Sequence, residues 1–271
     1  DNGSTDDTIE WLQKNFPRTR VVALPENRFF VRGNMAGVAT ATRDTLVFLN
    51  NDMIVKPGFL APLLAGFTSD DIFAVAAEVF FRDPNKRREE TGKTTGHFQG
   101  GFMQCAHVMP TAAHMDVYTP TFWAGGGAAA FDRRKFLAMG GWDLTFDPFY
   151  LEDTGLSYQA WKRGYRVVFT PKSGVFHEHR GTSRKVFGDD YIDSVIRRNQ
   201  HLFLWRNVTS ATLTAKYFAM LPLGIVERAH SAAHKPFGQA VWSEVRALLR
   251  ALPRLPIVLW RRTASRVWYR R

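Results

Sequence analysis

Short apolar runs of β-type residues alternate with stretches of helical spacing from residue 8 to residue 169, and this alternation restricts the fold more than any other feature of the chain. Ile9, Leu12 and Phe16 have helical spacing after the turn-rich Asp1 to Thr8, and Pro17 ends that helix. Val21 to Leu24 reads as a buried strand, Asn34 to Thr42 as a helix, and Thr45 to Leu49 as a second buried strand. Pro57-Gly58 opens a helix through Leu60, Leu63, Leu64 and Phe67, and Ile72 to Phe81 is a third strand. Strands separated by helices predict an α/β fold with a mainly parallel central sheet flanked by helices.

Residues 82–121 lose the periodicity. With Gly92, Gly96, Gly100, Gly101 and prolines they read as a loop or an irregular excursion. Order returns with an apolar, glycine-rich stretch from Phe122 to Phe131, a helix from Arg133 to Met139 and the turn Gly140-Gly141. A helix from Glu152 to Lys162 ends at Gly164, a C-cap position, and Arg166 to Phe169 is a strand. Residues 190–218 read as a helical pair. Further on, Val241, Val245, Leu248, Leu249 and Leu252 fall on one helical face before Pro253 and Pro256 break it.

The chain has 271 residues, 45% hydrophobic and 23% charged, the composition of an ordinary globular protein. A single cysteine, Cys105, excludes an internal disulfide framework and a multi-cysteine zinc site. The net charge of +11 is unevenly placed: residues 1–227 hold 26 basic and 24 acidic side chains, residues 228–271 hold 10 and 1. The tail is therefore expected to meet something anionic, whether phospholipid, nucleic acid or an acidic partner. Trp260 before Arg261-Arg262, and Trp268-Tyr269 before Arg270-Arg271, suit a membrane interface; packing of the amphipathic stripe on the body or on a second subunit is the alternative. No nucleic-acid motif is present, so specific nucleic-acid binding is not expected. No apolar run approaches the ~20 residues of a membrane span. Beginning at Asp1, without Met and inside a turn, the chain is expected to be a fragment whose first strand lies upstream.

Four constellations could carry chemistry. Asn50-Asn51-Asp52 follows a strand, where open α/β sheets bind ligands; a carboxylate there can hold a divalent cation bridging a diphosphate, or form an ordinary polar turn. Glu152-Asp153 begins a helix, where paired carboxylates either cap it or act as a general base and its neighbour. His177 and His179, two apart on an extended segment, point the same way; one can ligate a metal, and a structural or solvated histidine is the alternative. The side chains of Asp1 to Asp7 can accept hydrogen bonds from a base or ribose, or cap a helix. No Walker-type lysine loop or dinucleotide glycine fingerprint supports hydride transfer.

Taken in order, the chain resembles family-2 glycosyltransferases of the GT-A fold. The matching pieces are Asp1 to Asp6, Asn27 with Phe30 and Gly33, Phe48 to Asp52, Gly125-Gly126-Gly127, Arg133-Arg134, Gly140 to Asp143, Glu152-Asp153, Gly164-Tyr165-Arg166 and His177. The resemblance covers residues 1–185 and is nearest to a bacterial subgroup that includes rhamnosyltransferases of cell-surface polysaccharides. It implies a GT-A catalytic domain over residues 1–188, a helical pair packed on it over 189–227 and a basic amphipathic tail over 228–271. The implied chemistry is inverting transfer of a sugar from a nucleotide-diphosphate donor to a hydroxyl acceptor, saccharide or lipid-linked saccharide, assisted by Mg²⁺ or Mn²⁺. The implied place is the cytoplasm, at the inner face of the plasma membrane.

By the same resemblance Asp1, Asn27, Gly33, Asn50 and Asn51 would contact the donor. Asp52 and His177 would hold the metal, and Asp153 would be the base with Glu152 beside it. Trp123, Trp142 and Tyr150 are candidates for the acceptor groove. Phe29, Met35, Gly155 and Gln159 stand where the family has Gly, Asn, Asp and Arg. These departures leave a non-catalytic module that binds a nucleotide or a partner as the alternative.

Overall fold

Three strands sharing one direction frame the sheet of the computed structural model: β1 (Thr45–Leu49), β3 (Ile72–Phe81) and β8 (Arg166–His177). The structure describes residues 1–82, 90–111, 113, 117–177, 186–232 and 235–268, the side chains of 264–268 excepted. β7 (Ala128–Asp132) runs between β1 and β3 and opposes both, while β2 (Met53–Val55) and β6 (Thr119–Pro120) oppose β8. Among the described residues only β3–β8 is a parallel pair, so the expected mainly parallel sheet is corrected to a mixed one. The reason is β7 itself. Its alanines are almost fully buried and small enough for a central slot, but alternation along a sequence does not reveal a strand inserted between earlier ones.

Helices α2 (Phe29–Thr40), α4 (Arg133–Ala138) and α5 (Glu152–Lys162) cover one face, around Phe48, Phe73, Phe131, Phe136 and Trp142. α3 (Leu60–Ala65) covers the other, around Leu63, Val75, Val168 and Val175. α1 (Thr8–Asn15) ends one residue short of Phe16 and buries none of its side chains. β1 lies at the edge of the sheet, with Leu46 and Phe48 inward and Val47 and Leu49 exposed, so it is half rather than wholly buried. Val21 to Leu24 forms no strand: its ladder has one rung, Asp1 N–H donating to Val22 O (2.9 Å) and Leu24 N–H donating to Asp1 O (3.0 Å).

The supposed irregular excursion contains a hairpin, β4 (Thr94–Gln99) and β5 (Phe102–His107). Gly100 (φ 58°) and Gly101 (φ 84°) turn it, the pair of positive φ angles that a two-residue hairpin loop requires. The glycine pair is thus the turn of a hairpin within the stretch expected to be a loop or an irregular excursion.

Four helices follow: α6 (Asp189–Asn207), α7 (Ala211–Ser231), α8 (Phe237–Ala251) and α9 (Leu255–Trp268). The helical pair is present, but α7 runs beyond residue 227, and α8 packs on α6 and α7. The hairpin tip docks on α7; a Cβ on Gly101 would lie 2.5 Å from the Tyr217 backbone nitrogen. α8 turns Ala240, Glu244, Ala247 and Ala251 fully inward; of the expected stripe, Val241, Val245 and Leu248 are half-buried at the edge of that face, and Leu249 and Leu252 are exposed. Glu244 decides this orientation, since it is 1% exposed and paired with Arg197 of α6 and Arg228 of α7 (2.8 Å).

One buried group gives this layer a pH dependence. His201 of α6 shares a 2.8 Å hydrogen bond with the Tyr217 hydroxyl, and burial pulls its pKa from 6.5 down to about 4. The folded state therefore resists a proton that the unfolded chain accepts. Stability is full above pH 6.5 and falls as the pH drops toward about 4, by up to roughly 3 kcal/mol. Urea unfolding at pH 7.5 and 4.5 is expected to show this loss in the wild type and a flattened difference in His201→Gln; equal slopes would refute it.

Candidate active site

The end of β1 and the end of β8 are brought together by a tight turn. Asn50 N–H donates to Gly127 O (2.9 Å), Met53 N–H donates to Asn50 O (3.3 Å), and Met53 then pairs with His177 across β2–β8. This register sets Asp52 beside His177, with Asp52 Oδ2 3.3 Å from His177 Nε2. The other ring nitrogen, Nδ1, lies 2.7 Å from Glu90 Oε2. The hydrogen bond from His177 holds the Asp52 carboxyl below its usual range. Burial pulls the His177 pKa down, but bonding to Asp52 and Glu90 outweighs it and holds the value at about 9.

The carboxylate pair is placed by strain and glycine. Tyr150 (φ 71°) and Leu151 (φ 68°) are consecutive left-handed residues immediately before α5. Asn199 of α6, fully buried, directs its one side-chain amide nitrogen to the carbonyls of Phe146 (3.0 Å), Phe149 (3.0 Å) and Tyr150 (2.8 Å). Asp153 accepts from Gly126 N–H (3.2 Å), Thr154 N–H (2.6 Å) and the Thr154 hydroxyl (3.2 Å). Glu152 is buried, and its Oε2 has no hydrogen-bond partner. Burial raises both carboxyls, and the charge of Asp153 raises Glu152 further. The three donors on Asp153 make it the ionised member, with Glu152 keeping its proton.

The Gly125–Gly127 loop joins the two halves. Gly126 bonds Asp153, and a Cβ on Gly127 would lie 2.8 Å from Asn50 Nδ2. A cleft of about 390 Å³, within the usual size of a ligand pocket, is lined by Asn50, Asp52, His177, Trp123, Tyr150, Glu152 and Asp153 together. Glu90 also lines it; its sequence position carried no signal, because it meets His177 across 87 residues.

Five other expected residues stand elsewhere. Asp1 caps its own turn, accepting from Gly3 N–H (3.0 Å) and Ser4 N–H (2.9 Å). Asn27 accepts from Phe29 N–H (2.8 Å) and the Asn2 amide (3.1 Å). Gly33 leaves room for that Asn2 amide, which a Cβ would meet at 2.8 Å. These three build a turn next to Phe30, which does line the cleft. Asn51 is exposed and outside the cleft. Trp142 is corrected from groove wall to core: it is 1% exposed and packs on Phe48, Phe131 and Phe136, beneath Gly126.

Among the described residues, no group of three His, Cys, Asp or Glu stands ready to hold a metal alone. Asp52 and His177 nevertheless fit a divalent cation. Asp52 Oδ1 is buried without a hydrogen-bond partner among the described residues, and Mg²⁺-type sites characteristically use one or two protein ligands plus substrate phosphates and water. His179 lies outside the described residues.

The mixed sheet flanked by helices is that of the GT-A fold. The pattern of glycosyl transferase family 2 matches residues 1–136, and the chain belongs to that family. Polypeptide N-acetylgalactosaminyltransferase 3 of Mus musculus is 26% identical over 219 residues, covering 74% of this chain and 34% of the relative. The chain spans about a third of the length of the curated relatives it matches. Among solved structures, GalNAc-T7 with UDP, GalNAc and Mn²⁺ superposes with a TM-score of 0.60 at 17% identity, over 89% of this chain and 44% of that one. A mannosyltransferase of Pyrobaculum calidifontis in complex with GDP-Man and Mn²⁺ gives 0.51 at 15% identity, over 99% and 76%.

Proposed function

We propose that the chain is the catalytic part of an inverting, metal-dependent glycosyltransferase that moves a sugar from a nucleotide-diphosphate donor to a hydroxyl acceptor. The observation that carries this reading is the single cleft lined by both Asp52–His177 and Glu152–Asp153. Asp52 and His177 would hold Mg²⁺ or Mn²⁺, which when bound offsets the charge that develops on a departing diphosphate. Asp153, ionised and held by Gly126 and Thr154, takes the proton of the acceptor hydroxyl as that oxygen attacks the anomeric carbon. Glu152, neutral beside it, adds no competing charge. Asn50 faces the donor, and Trp123 and Tyr150 offer aromatic wall to a sugar ring.

In this proposal residues 1–188 form the catalytic domain, 189–227 the helical pair and 228–271 a basic tail that rests peripherally on an anionic membrane at the cytoplasmic side. The acceptor is then a cell-surface saccharide or a lipid-linked saccharide, as in the rhamnosyltransferase-like subgroup. The substitution at Gly155 does not argue for an inactive module: a Cβ there would meet Phe146 Cε2 at 3.0 Å, so glycine serves packing. Phe29 takes φ 58°, a conformation suited to the glycine of the family, and its ring packs on Phe187.

The test is transfer from UDP-, GDP- and dTDP-sugars to saccharide hydroxyls with Mn²⁺, the product anomer being read by NMR. Inversion is expected. Retention would refute the single displacement, and nucleotide binding without transfer to any acceptor would favour a binding module.

A further inference from the structure

We infer that the outward face of α8 and the start of α9 form a docking surface for an anionic lipid bilayer, a reading that deepens the proposed membrane contact by assigning it to one face. A helix turns 100° per residue. On α8 the buried residues Ala240, Glu244, Ala247 and Ala251 occupy one sector, and they are small or charged. The large apolar residues fall beside and opposite that sector. Trp242 is 58% exposed, and Leu249 and Leu252 are about half exposed. Burying alanines and glutamate while presenting Trp and Leu to solvent is the reverse of what core packing favours.

A 3-10 turn at Leu252–Arg254 leads into α9, which also presents apolar residues outward. On α9 Val258 is buried, and Trp260, two positions on and so on the opposite side, is 65% exposed, with Ile257 and Leu259 exposed between.

Charge identifies the occupant. Residues 228–271 carry 10 basic side chains and 1 acidic one, and that one, Glu244, is turned inward to Arg197 and Arg228. Arg246 and Arg250 are exposed on α8 on the flank next to Trp242; Arg250 also donates to Ser194 Oγ (3.0 Å). Aromatic and aliphatic side chains flanked by arginines match the headgroup region of an anionic leaflet, into which such a helix sinks lengthwise. No helix among the described residues is long and apolar enough to cross a membrane, so the contact is lateral. The bilayer-facing layer reaches the cleft through the hairpin: α7 carries its tip, and Thr94 and His107 at its open end line the cleft.

The test is sedimentation of the full chain with vesicles of phosphatidylcholine, with and without phosphatidylglycerol. Retention on the anionic vesicles, weakened by salt, is expected. Trp242→Ser combined with Leu249→Ser is expected to weaken it roughly tenfold or more, as is Arg246→Glu with Arg250→Glu. Both pairs are exposed, so melting curves should match the wild type and transfer to a soluble acceptor should persist. Failure of the wild type to bind anionic vesicles, or unchanged binding in both variants, would overturn the inference. So would a dimer in sedimentation velocity that the apolar variant dissolves, which assigns the face to a second copy. Vesicle binding without sugar transfer would instead refute the catalytic proposal and leave this surface standing.

Discussion

Asp153→Asn is expected to lower kcat by roughly 10²–10⁴-fold, the usual contribution of a positioned general base. The amide keeps the size of the carboxylate, so the turn before α5 and the Gly125–Gly127 loop remain. It cannot take the acceptor's proton. In the wild type, burial raises this carboxyl, so the rate should fall with acidity at a higher pH than an ordinary aspartate would produce. The sign is fixed by the base being active when ionised: activity rises with pH through the raised pKa and then levels. The variant should lose that limb together with its rate. Stopped-time transfer assays across pH measure both quantities. A variant with wild-type kcat would remove Asp153 from the mechanism.

Asp52→Ala is the second large effect. It takes away the carboxylate whose buried Oδ1 has no hydrogen-bond partner among the described residues and leaves His177 bonded to Glu90 alone of the two acidic groups. Affinity for Mn²⁺ in the presence of a nucleoside diphosphate is expected to fall at least about 100-fold, beyond what loss of an outer partner produces. Free Mn²⁺ followed by electron paramagnetic resonance reads this without any turnover, and kcat/KM should fall in parallel. His177→Ala should act in the same direction. Equal Mn²⁺ binding by Asp52→Ala and wild type would show that the cation, if used, sits elsewhere.

What the residues disclosed in advance follows from how local each feature is. Leu49-Asn50-Asn51-Asp52 is readable because an apolar run ending in polar turn residues marks a strand end, and the helix from Glu152 to Lys162 because Gly164 just past its end is a local stop signal. Glu90 and Asn199 were not readable, since each acts on a distant segment and neither belongs to a local pattern. β7 was hidden for the same reason: strand order is a property of pairing across the sheet. The rotation of α8 depends on Glu244 meeting Arg197 and Arg228, which moves the buried sector to one side of the stripe of Val and Leu and leaves Leu249 and Leu252 exposed. Trp142 shows the limit of residue type alone: a tryptophan suits a sugar groove and a core equally, and here it is core.

Asn199 also bears on where this enzyme-like unit stops. Three oxygen atoms from the stretch 146–150 hang on one nitrogen supplied by α6. A chain severed ahead of Asp189 would retain the described strands and the Asp52–His177 couple, yet lose the amide nitrogen that those oxygens share, next to the left-handed pair Tyr150 and Leu151. The turn that carries Glu152 and Asp153 is therefore anchored from beyond residue 188, and α6 is part of what holds that carboxylate pair in place.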